Sequence, residues 1–206
     1  MMAIRFCVTK PVQRFISRSA MKHSFPLLLL LALRLAVFAA DEQTNGMFAS
    51  KRLSFRITKP SGWFFDARDE NPAPNKTAVL ITKFREPYEG LNPSCRVIVA
   101  PLGALPNHSP LQWAEAQIQK DKRSRGDFVL LEGPKEVKVG GVKGAFFKAA
   151  ATAAAEGHTF KVLIRAYFAA DSEHVFKITM VGPPEGANVS EKEFAEILNS
   201  IAIGRK

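Results

Sequence analysis

The second half of this chain consists of apolar runs separated by short turn signals, and that organisation constrains the fold more than any other feature. Phe176, Ile178 and Met180 are separated by single polar residues, as in a strand that buries one face. Turn residues at 140–141, 156–157 and 171–173 divide the region into consecutive runs. The pattern predicts an antiparallel meander with strands over residues 128–131, 136–139, 142–155, 159–169 and 175–181.

One strand of this meander contains an alanine-rich run, at residues 149–155. Alanine favours helix by intrinsic propensity. We nevertheless interpret the run as a strand, because glycines at 144 and 157 bracket it and both neighbouring runs are strands. Small side chains at these positions would let a helix approach the sheet closely.

Two helices are predicted from capping boxes, in which a Ser and a Gln or Glu three positions later satisfy backbone N–H groups. Ser109 and Gln112 start the first helix, with Pro110 at its first position, and it extends to about residue 122. Ser190 and Glu193 start the second helix. Strands are also predicted over residues 54–58, 63–68, 78–84 and 96–100. Helices on a mainly antiparallel sheet place the chain in the α+β class.

The first 40 residues are predicted to be a cleaved secretory signal rather than part of the fold. A basic start at residues 21–23 precedes an apolar run that ends in small residues before Asp41. That run covers about 15 residues, fewer than the roughly 20 that a membrane-spanning helix needs. Met21 begins a complete signal by itself and is a candidate true start. We therefore expect an exported protein, periplasmic or secreted, with no transmembrane anchor after cleavage; a retained anchor and an organelle transit peptide are the alternatives.

Removal of this segment changes the charge balance of the chain. The sequence has 29 basic and 19 acidic residues, but residues 1–40 contain six of the basic ones and no acid, which leaves a net charge of +4. A nucleic-acid partner is therefore not predicted. Cys95 is the only cysteine beyond residue 40, and we interpret it as a buried structural thiol in a strand rather than as a nucleophile.

The rest of the sequence is predicted to comprise a flexible leader over residues 41–52, a single domain over 53–203 and a short tail over 204–206. Three segments of that domain have distinctive patterns. Residues 55–63 have the order strand, Pro-x-Gly-Trp, and lead into a second strand. Residues 139–145 are a predicted hairpin, and residues 194–201 are a predicted closing helix. Together these segments resemble the PsbP-like superfamily, whose domain has such a hairpin in its middle and such a helix at its end.

The resemblance implies a three-layer α/β/α sandwich around a mainly antiparallel sheet and a non-enzymatic role in binding or assembly. No cofactor is expected, and the metal ligands of the photosynthetic members cannot be placed on matching residues. The expected function is that of an exported PsbP-like domain that binds a protein partner in the envelope or stabilises an assembly there. A periplasmic protein that binds a small molecule or a metal ion is the main alternative, and an exported hydrolase is the other.

Candidate site residues form an acidic and a basic group. Carboxylate oxygens in two loops could hold a hard cation such as calcium. The acidic candidates are Asp66, Asp69, Glu70, Glu86 and Glu89. A basic run at the end of the first helix could contact an acidic partner or an anionic envelope surface. The basic candidates are Lys120, Lys122, Arg123 and Arg125. Solvated loops and a solvated helix end are the structural alternatives.

Sequence motifs for catalysis are absent from the chain. It has no Gly-x-Ser-x-Gly elbow and no Gly-x-x-x-x-Gly-Lys loop, and its three histidines beyond residue 40 lack zinc-type spacing. Trp63 and Trp113 are interpreted as core residues. A ligand groove between the loops at residues 69–77 and 85–94 is the alternative interpretation.

Overall fold

The computed structural model describes residues 46–85, 88–104, 109–155, 157–184 and 191–204. Its strands are β1 (Met47–Ser50), β2 (Phe55–Thr58), β3 (Phe64–Arg68), β4 (Lys76–Thr82), β5 (Ser94–Pro101), β6 (Val129–Val139), β7 (Val142–Ala155), β8 (His158–Ala170), β9 (His174–Gly182) and β10 (Ala202–Ile203). Its helices are α1 (Pro110–Ser124) and α2 (Glu191–Ser200), and a 3₁₀ turn covers Leu102–Ala104.

In the described part of the chain, seven strands form a long antiparallel sheet in the order β3-β4-β5-β9-β8-β7-β6. Strands β6 to β9 are neighbours in sequence and in space, so the predicted meander is confirmed. At its first turn Gly140 and Gly141 have φ of 60° and 92°, and a two-residue turn of this kind requires positive φ at both positions. The alanine-rich run is confirmed as part of β7, where it pairs with β8.

The edge strand β6 differs from the prediction because it is continuous. The sequence predicts two strands, over residues 128–131 and 136–139, with a Gly-Pro turn between them. In the structure a single strand, Val129–Val139, joins the two segments. Its register with β7 shifts near the middle of the strand. Gly133 makes this possible, since a Cβ there would lie 2.5 Å from the carbonyl oxygen of Phe146.

The sequence does not predict the second sheet, which has the order β1-β2-β10. Residues 47–50 were expected in the flexible leader over 41–52, and for these four residues that prediction is wrong: they form β1 and pair with β2. Phe48 and Ser50 are buried in alternation with exposed neighbours, so the strand signal is present but very short. At the other end of the chain, the N–H of Ile203 in β10 donates to the carbonyl oxygen of Gly140 at 3.0 Å.

The long sheet has two faces, each with its own core. We call one of them the closed face; its buried strand residues include Phe176, Ile178 and Met180. The second sheet and α2 both contribute to this core. Phe55 of β2 stacks on Phe176 with ring centroids 5.4 Å apart, and Phe194 of α2 meets Trp63 edge-on at 5.9 Å.

We call the other face the helix face; its buried strand residues include Ala145, Ala149, Ala151 and Ala166. Helix α1 lies against β6, β7 and β8. It buries Trp113, Ala114 and Ile118 in this core. Small residues on the strands and larger ones on the helix together fill the interface.

These features confirm the α+β class with mainly antiparallel strands. Helix α1 belongs to the core of the helix face and α2 to that of the closed face. The three-layer α/β/α arrangement stays a prediction, and it did not include the second sheet. The capping box predicted at Ser190 lies outside the described residues, while Phe194 and Ile197 form the buried side of α2, as expected.

Candidate functional site

Helix α1 begins at the predicted capping box. The Ser109 hydroxyl accepts a hydrogen bond from the backbone N–H of Gln112 at 3.4 Å, and the Gln112 side chain accepts one from the N–H of Ser109 at 2.9 Å. The helix ends at Ser124, and Arg125 caps it by donating its backbone N–H to the carbonyl oxygen of Asp121 at 2.9 Å. The predicted basic run therefore occupies the end of the helix, where cations favour the negative pole of the helix dipole.

The four cations of the basic run divide into two pairs. Lys120 and Arg125 border a groove between α1 and the long sheet. Lys122 and Arg123 do not line it, and Nε of Arg123 donates to the carbonyl oxygen of Gln119 at 3.2 Å. All four side chains are exposed, and none forms an ion pair with a described residue.

Two adjoining cavities make up this groove, which we call the α1 groove. Their volumes are about 610 and 660 Å³. Both values lie within the roughly 300–1,000 Å³ that is typical of small-molecule sites. The cavities share Ile98, Gln117 and Lys177, so they lie on either side of a contact between α1 and the sheet.

The loops at residues 69–77 and 85–94 take part in the α1 groove, but they do not form it between them. Asn75 lines one cavity, and Tyr88 lines the other. The walls are α1 on one side and residues of β5, β7, β8 and β9 on the other. Trp113 lines the groove, whereas Trp63 is buried in the core of the closed face.

A chain of polar side chains crosses the α1 groove. Nζ of Lys177 donates to Oε1 of Gln117 at 2.8 Å, and Nε2 of Gln117 donates to Oδ1 of Asp121 at 2.9 Å. Burial lowers the pKa of Lys177 from its usual value, and Asp121 opposes this effect. Other cations lower the same pKa further: Lys120, Arg125 and Arg96.

Sequence reasoning misses Lys177, because its alternation with Phe176 and Ile178 is typical of a solvent-facing position. In the structure it is only partly exposed. Pairing of β5 with β9 sets Ile98 opposite Lys177 and Arg96 two positions away on the same face. No local motif marks this arrangement, because it depends on which strands become neighbours.

The acidic candidates do not come together as a site. Asp66, Asp69, Glu70 and Glu89 are exposed, and Glu86 lies outside the described residues. Oδ1 of Asp69 accepts the N–H of Asn71 at 2.7 Å, which is the hydrogen bond of an Asx turn. Within the described ranges, no three His, Cys, Asp or Glu residues are placed so that they could hold a metal ion.

Two groups on the closed face, Cys95 and Tyr167, have raised pKa values. Burial raises the pKa of the Cys95 thiol to about 12, and burial also raises the pKa of Tyr167 to about 12. Since the thiolate is the nucleophilic form, a thiol held protonated in this way is a poor nucleophile. The interpretation of Cys95 as a buried structural residue is confirmed.

A buried cation, Arg165, is a further feature that sequence reasoning misses. Arg165 is only 6% exposed to solvent. Nη2 of Arg165 forms an ion pair with Glu191 in the first turn of α2, and its guanidinium lies 5.1 Å from the ring centroid of Phe194. These contacts connect β8 to α2, so Arg165 has a structural role.

No protein-family model and no curated protein matches this chain. Solved structures do match it. Cyanobacterial PsbP (CyanoP) from Synechocystis sp. PCC 6803 aligns with a TM-score of 0.53 and 10% identity, over 77% of this chain and 91% of that one. This chain has a PsbP-like fold.

A second match extends the comparison beyond photosynthetic organisms. LpqN, involved in cell envelope biogenesis of Mycobacterium tuberculosis, aligns with a TM-score of 0.51 and 11% identity, over 83% of this chain and 97% of that one. At such identities the likeness shows the fold alone. The resemblance seen in residues 55–63, 139–145 and 194–201 is thereby confirmed for the fold. No described helix is long and apolar enough to cross a membrane.

Proposed function

We propose that this chain is an exported, non-enzymatic domain that binds a protein partner and stabilises an assembly in the cell envelope. The observation that carries the proposal is the PsbP-like fold, which it shares with CyanoP and with LpqN, a protein involved in cell envelope biogenesis. The signal predicted in residues 1–40 supports export. The proposal includes a three-layer arrangement, with α1 on the helix face and α2 beside the second sheet on the closed face.

The chemistry of the described residues agrees with a binding role. Cys95, the only cysteine beyond residue 40, is fully buried with a raised pKa and is unsuited to nucleophilic attack. Trp63 and Arg165 both contact α2 and therefore have structural roles in packing. An exported hydrolase gains no support from these groups.

Exposed cations at the end of α1 are the proposed contact with the partner. Lys122 and Arg123 lie in the last turn of the helix and outside the α1 groove, and neither is neutralised by an ion pair with a described residue. A surface of this kind attracts an acidic partner. Lys120 and Arg125 flank the same helix end and extend the positive surface toward the groove.

Export is tested by sequencing the N-terminus of the protein recovered from fractionated cells. The full chain carries a C-terminal tag, so that processing at the other end stays visible. We expect the protein in the periplasmic or secreted fraction with Ala40 or Asp41 as its first residue. Recovery from the cytoplasm with Met1 or Met21 at the N-terminus would contradict the proposal.

Partner binding is tested by crosslinking in intact cells with the variant Lys122→Glu/Arg123→Glu. We expect the yield of a specific crosslinked partner to fall at least tenfold, because two attractive charges become repulsive. The matched control is Lys138→Glu/Lys143→Glu, which reverses two exposed charges on the β6–β7 hairpin. Equal yields for both variants, or no specific crosslink to the unmodified protein, would refute the proposed contact.

A further inference from the structure

Residues of the core of the helix face form part of the floor of the α1 groove. Its first cavity is lined by Phe147 and Val162, which are only 1% and 2% exposed, and by Ala166 at 1%. A flat membrane surface cannot reach such residues. An occupant must be narrow enough to enter between the helix and the strands, which favours a single small molecule.

One part of this cavity's wall is apolar, and polar and charged residues line the rest. Aliphatic and aromatic side chains from β7, β8, β9 and the loop before β5 form the apolar part: Leu91, Phe147, Phe160, Val162, Ile164 and Val181. Transfer of an acyl chain or a similar apolar body from water to this surface is favourable, in proportion to the apolar area that is buried.

The mouth of the groove is strongly positive. Its cationic lining residues are Arg96, Lys120, Arg125 and Lys177. Asp121 is the one carboxylate among the described lining residues, and it accepts a hydrogen bond from Gln117. None of the four cations forms an ion pair with a described residue, and the single carboxylate Asp121 offsets only part of the positive charge.

Lys177 connects the charged mouth to the apolar part of the wall. Its Nζ lies 6.0 Å from the ring centroid of Phe168 and has Gln117 as its hydrogen-bond acceptor. An ammonium group in partly apolar surroundings is costly unless an anion accompanies it. An anionic group between Lys177 and Arg96 would supply that charge and would strengthen the ammonium form.

We propose that the α1 groove binds a monomeric organic anion with an apolar body, such as a fatty-acid carboxylate or a long-chain phosphate ester. The anionic head lies among Arg96, Lys177 and Arg125, and the apolar body lies along Phe160, Val162 and Ile164. This site is separate from the partner contact proposed at Lys122 and Arg123. Either proposal can therefore fail without the other.

Binding is tested by isothermal titration calorimetry on the protein from Asp41 to the C-terminus, below the micelle concentration of each probe. The probes are dodecanoate, dodecyl phosphate, dodecanol and acetate. We expect binding of dodecanoate or dodecyl phosphate, and at least tenfold weaker binding of dodecanol, which lacks the charge, and of acetate, which lacks the chain. Which of the two anions binds more tightly distinguishes a carboxylate from a phosphate source.

Variants of the groove locate the site. Lys177→Met and Arg96→Met should each weaken binding of the anion at least tenfold, while Lys138→Met, an exposed cation on β6, should leave it unchanged. Far-ultraviolet circular dichroism and a thermal melt confirm that each variant is folded. A second readout is the pKa of Lys177, followed by NMR of the labelled ammonium, which should rise when the anion binds.

Several outcomes would overturn the inference. They are equal affinity for dodecanol and dodecanoate, unchanged affinity in folded Lys177→Met and Arg96→Met, and the absence of binding by any monomeric anion. Binding only to vesicles that contain phosphatidylglycerol would also overturn it, since that result would indicate a membrane surface rather than an enclosed ligand.

Discussion

The two faces of the long sheet are covered by different elements. The closed face is covered by a second sheet and a helix, and its largest fully buried residues include Trp63, Phe176 and Ile178. The helix face is covered by α1, which lies over β6, β7 and β8 and packs on alanines. Beyond the edge of α1, the groove along β5 and β9 contains charged residues. The closed face is therefore covered by two kinds of element, whereas the helix face leaves open the α1 groove in which we propose that an anion binds.

Phe176→Ala should produce the largest loss of stability. Phe176 is fully buried on the closed face and stacks on Phe55, so it connects the long sheet to the second sheet. Truncation leaves a cavity between the sheets, and we expect the free energy of unfolding in urea to fall by about 3–5 kcal/mol. The matched control is Val129→Ala on β6, which is 54% exposed and should change it by less than about 0.5 kcal/mol. A loss below about 1 kcal/mol for Phe176→Ala would mean that the second sheet contributes little.

Ala149→Leu tests the packing of the helix face by enlarging a buried side chain instead of truncating one. Ala149 on β7 is fully buried beneath α1, so a larger side chain must displace the helix or its neighbours. We expect the free energy of unfolding in urea to fall by about 1–3 kcal/mol. Ala195→Leu places the same change on the exposed side of α2 and should be nearly neutral. Equal stability of the two variants would show that α1 is not closely packed on the sheet.

The sequence predicts the parts of the fold that rest on local signals. The period-two run at Phe176, the glycine pair at 140–141 and the capping box at Ser109 each specify a structure within a few residues. The alanine-rich run is a case in which context outweighs propensity, since its glycine boundaries and strand neighbours correctly indicate β7. Strand β1 is missed because four residues carry too little periodic pattern.

The candidate site was predicted less completely, because it depends on tertiary neighbours. Lys120 and Arg125 were identified from the basic run of α1. Arg96 and Lys177 were not, since they stand in separate strands with no motif between them and meet only because β5 pairs with β9. Carboxylates that are near in sequence, such as Asp66 and Asp69, are not gathered by the fold. Proximity along the chain is a poor guide to a site built across a sheet.

Alkaline pH should destabilise the protein through the closed face. The unfolded chain ionises Cys95 at its ordinary pKa of 9.0, whereas in the fold its pKa is about 12. Between these values the unfolded state binds fewer protons, so the free energy of unfolding falls as pH rises, by about 1.4 kcal/mol per pH unit for this group. Tyr167, with its pKa raised from 10.0 to about 12, acts in the same direction at higher pH.

Urea unfolding under reducing conditions at several alkaline pH values measures how steeply the free energy of unfolding falls as pH rises. Cys95→Ala serves as the reference variant: it is less stable at neutral pH because of the cavity, but its decline above pH 9 should be shallower. Identical slopes for the two proteins would show that Cys95 ionises in the folded state, and would contradict its enclosure in the closed core.

Lys177→Met should have the smallest effect on stability, and in the opposite direction. The charged ammonium is partly desolvated in the fold, which lowers its pKa below the ordinary 10.5, so its removal should raise the free energy of unfolding by about 0.5 kcal/mol at neutral pH. As pH rises from the lowered pKa toward 10.5, the unfolded state binds more protons at this site than the fold does. The free energy of unfolding of the unmodified protein therefore rises toward that of Lys177→Met, and the difference between the two proteins should shrink.

Urea unfolding of the unmodified protein and Lys177→Met at neutral and at alkaline pH measures this difference, and Cys95 affects both proteins equally. Lys138→Met on the exposed side of β6 should show neither the gain nor its pH dependence. A clear loss of stability in Lys177→Met would mean that the lysine serves the packing of α1 through Gln117. A gain accompanied by loss of anion binding would show that the helix face keeps this charge at a cost to its own stability.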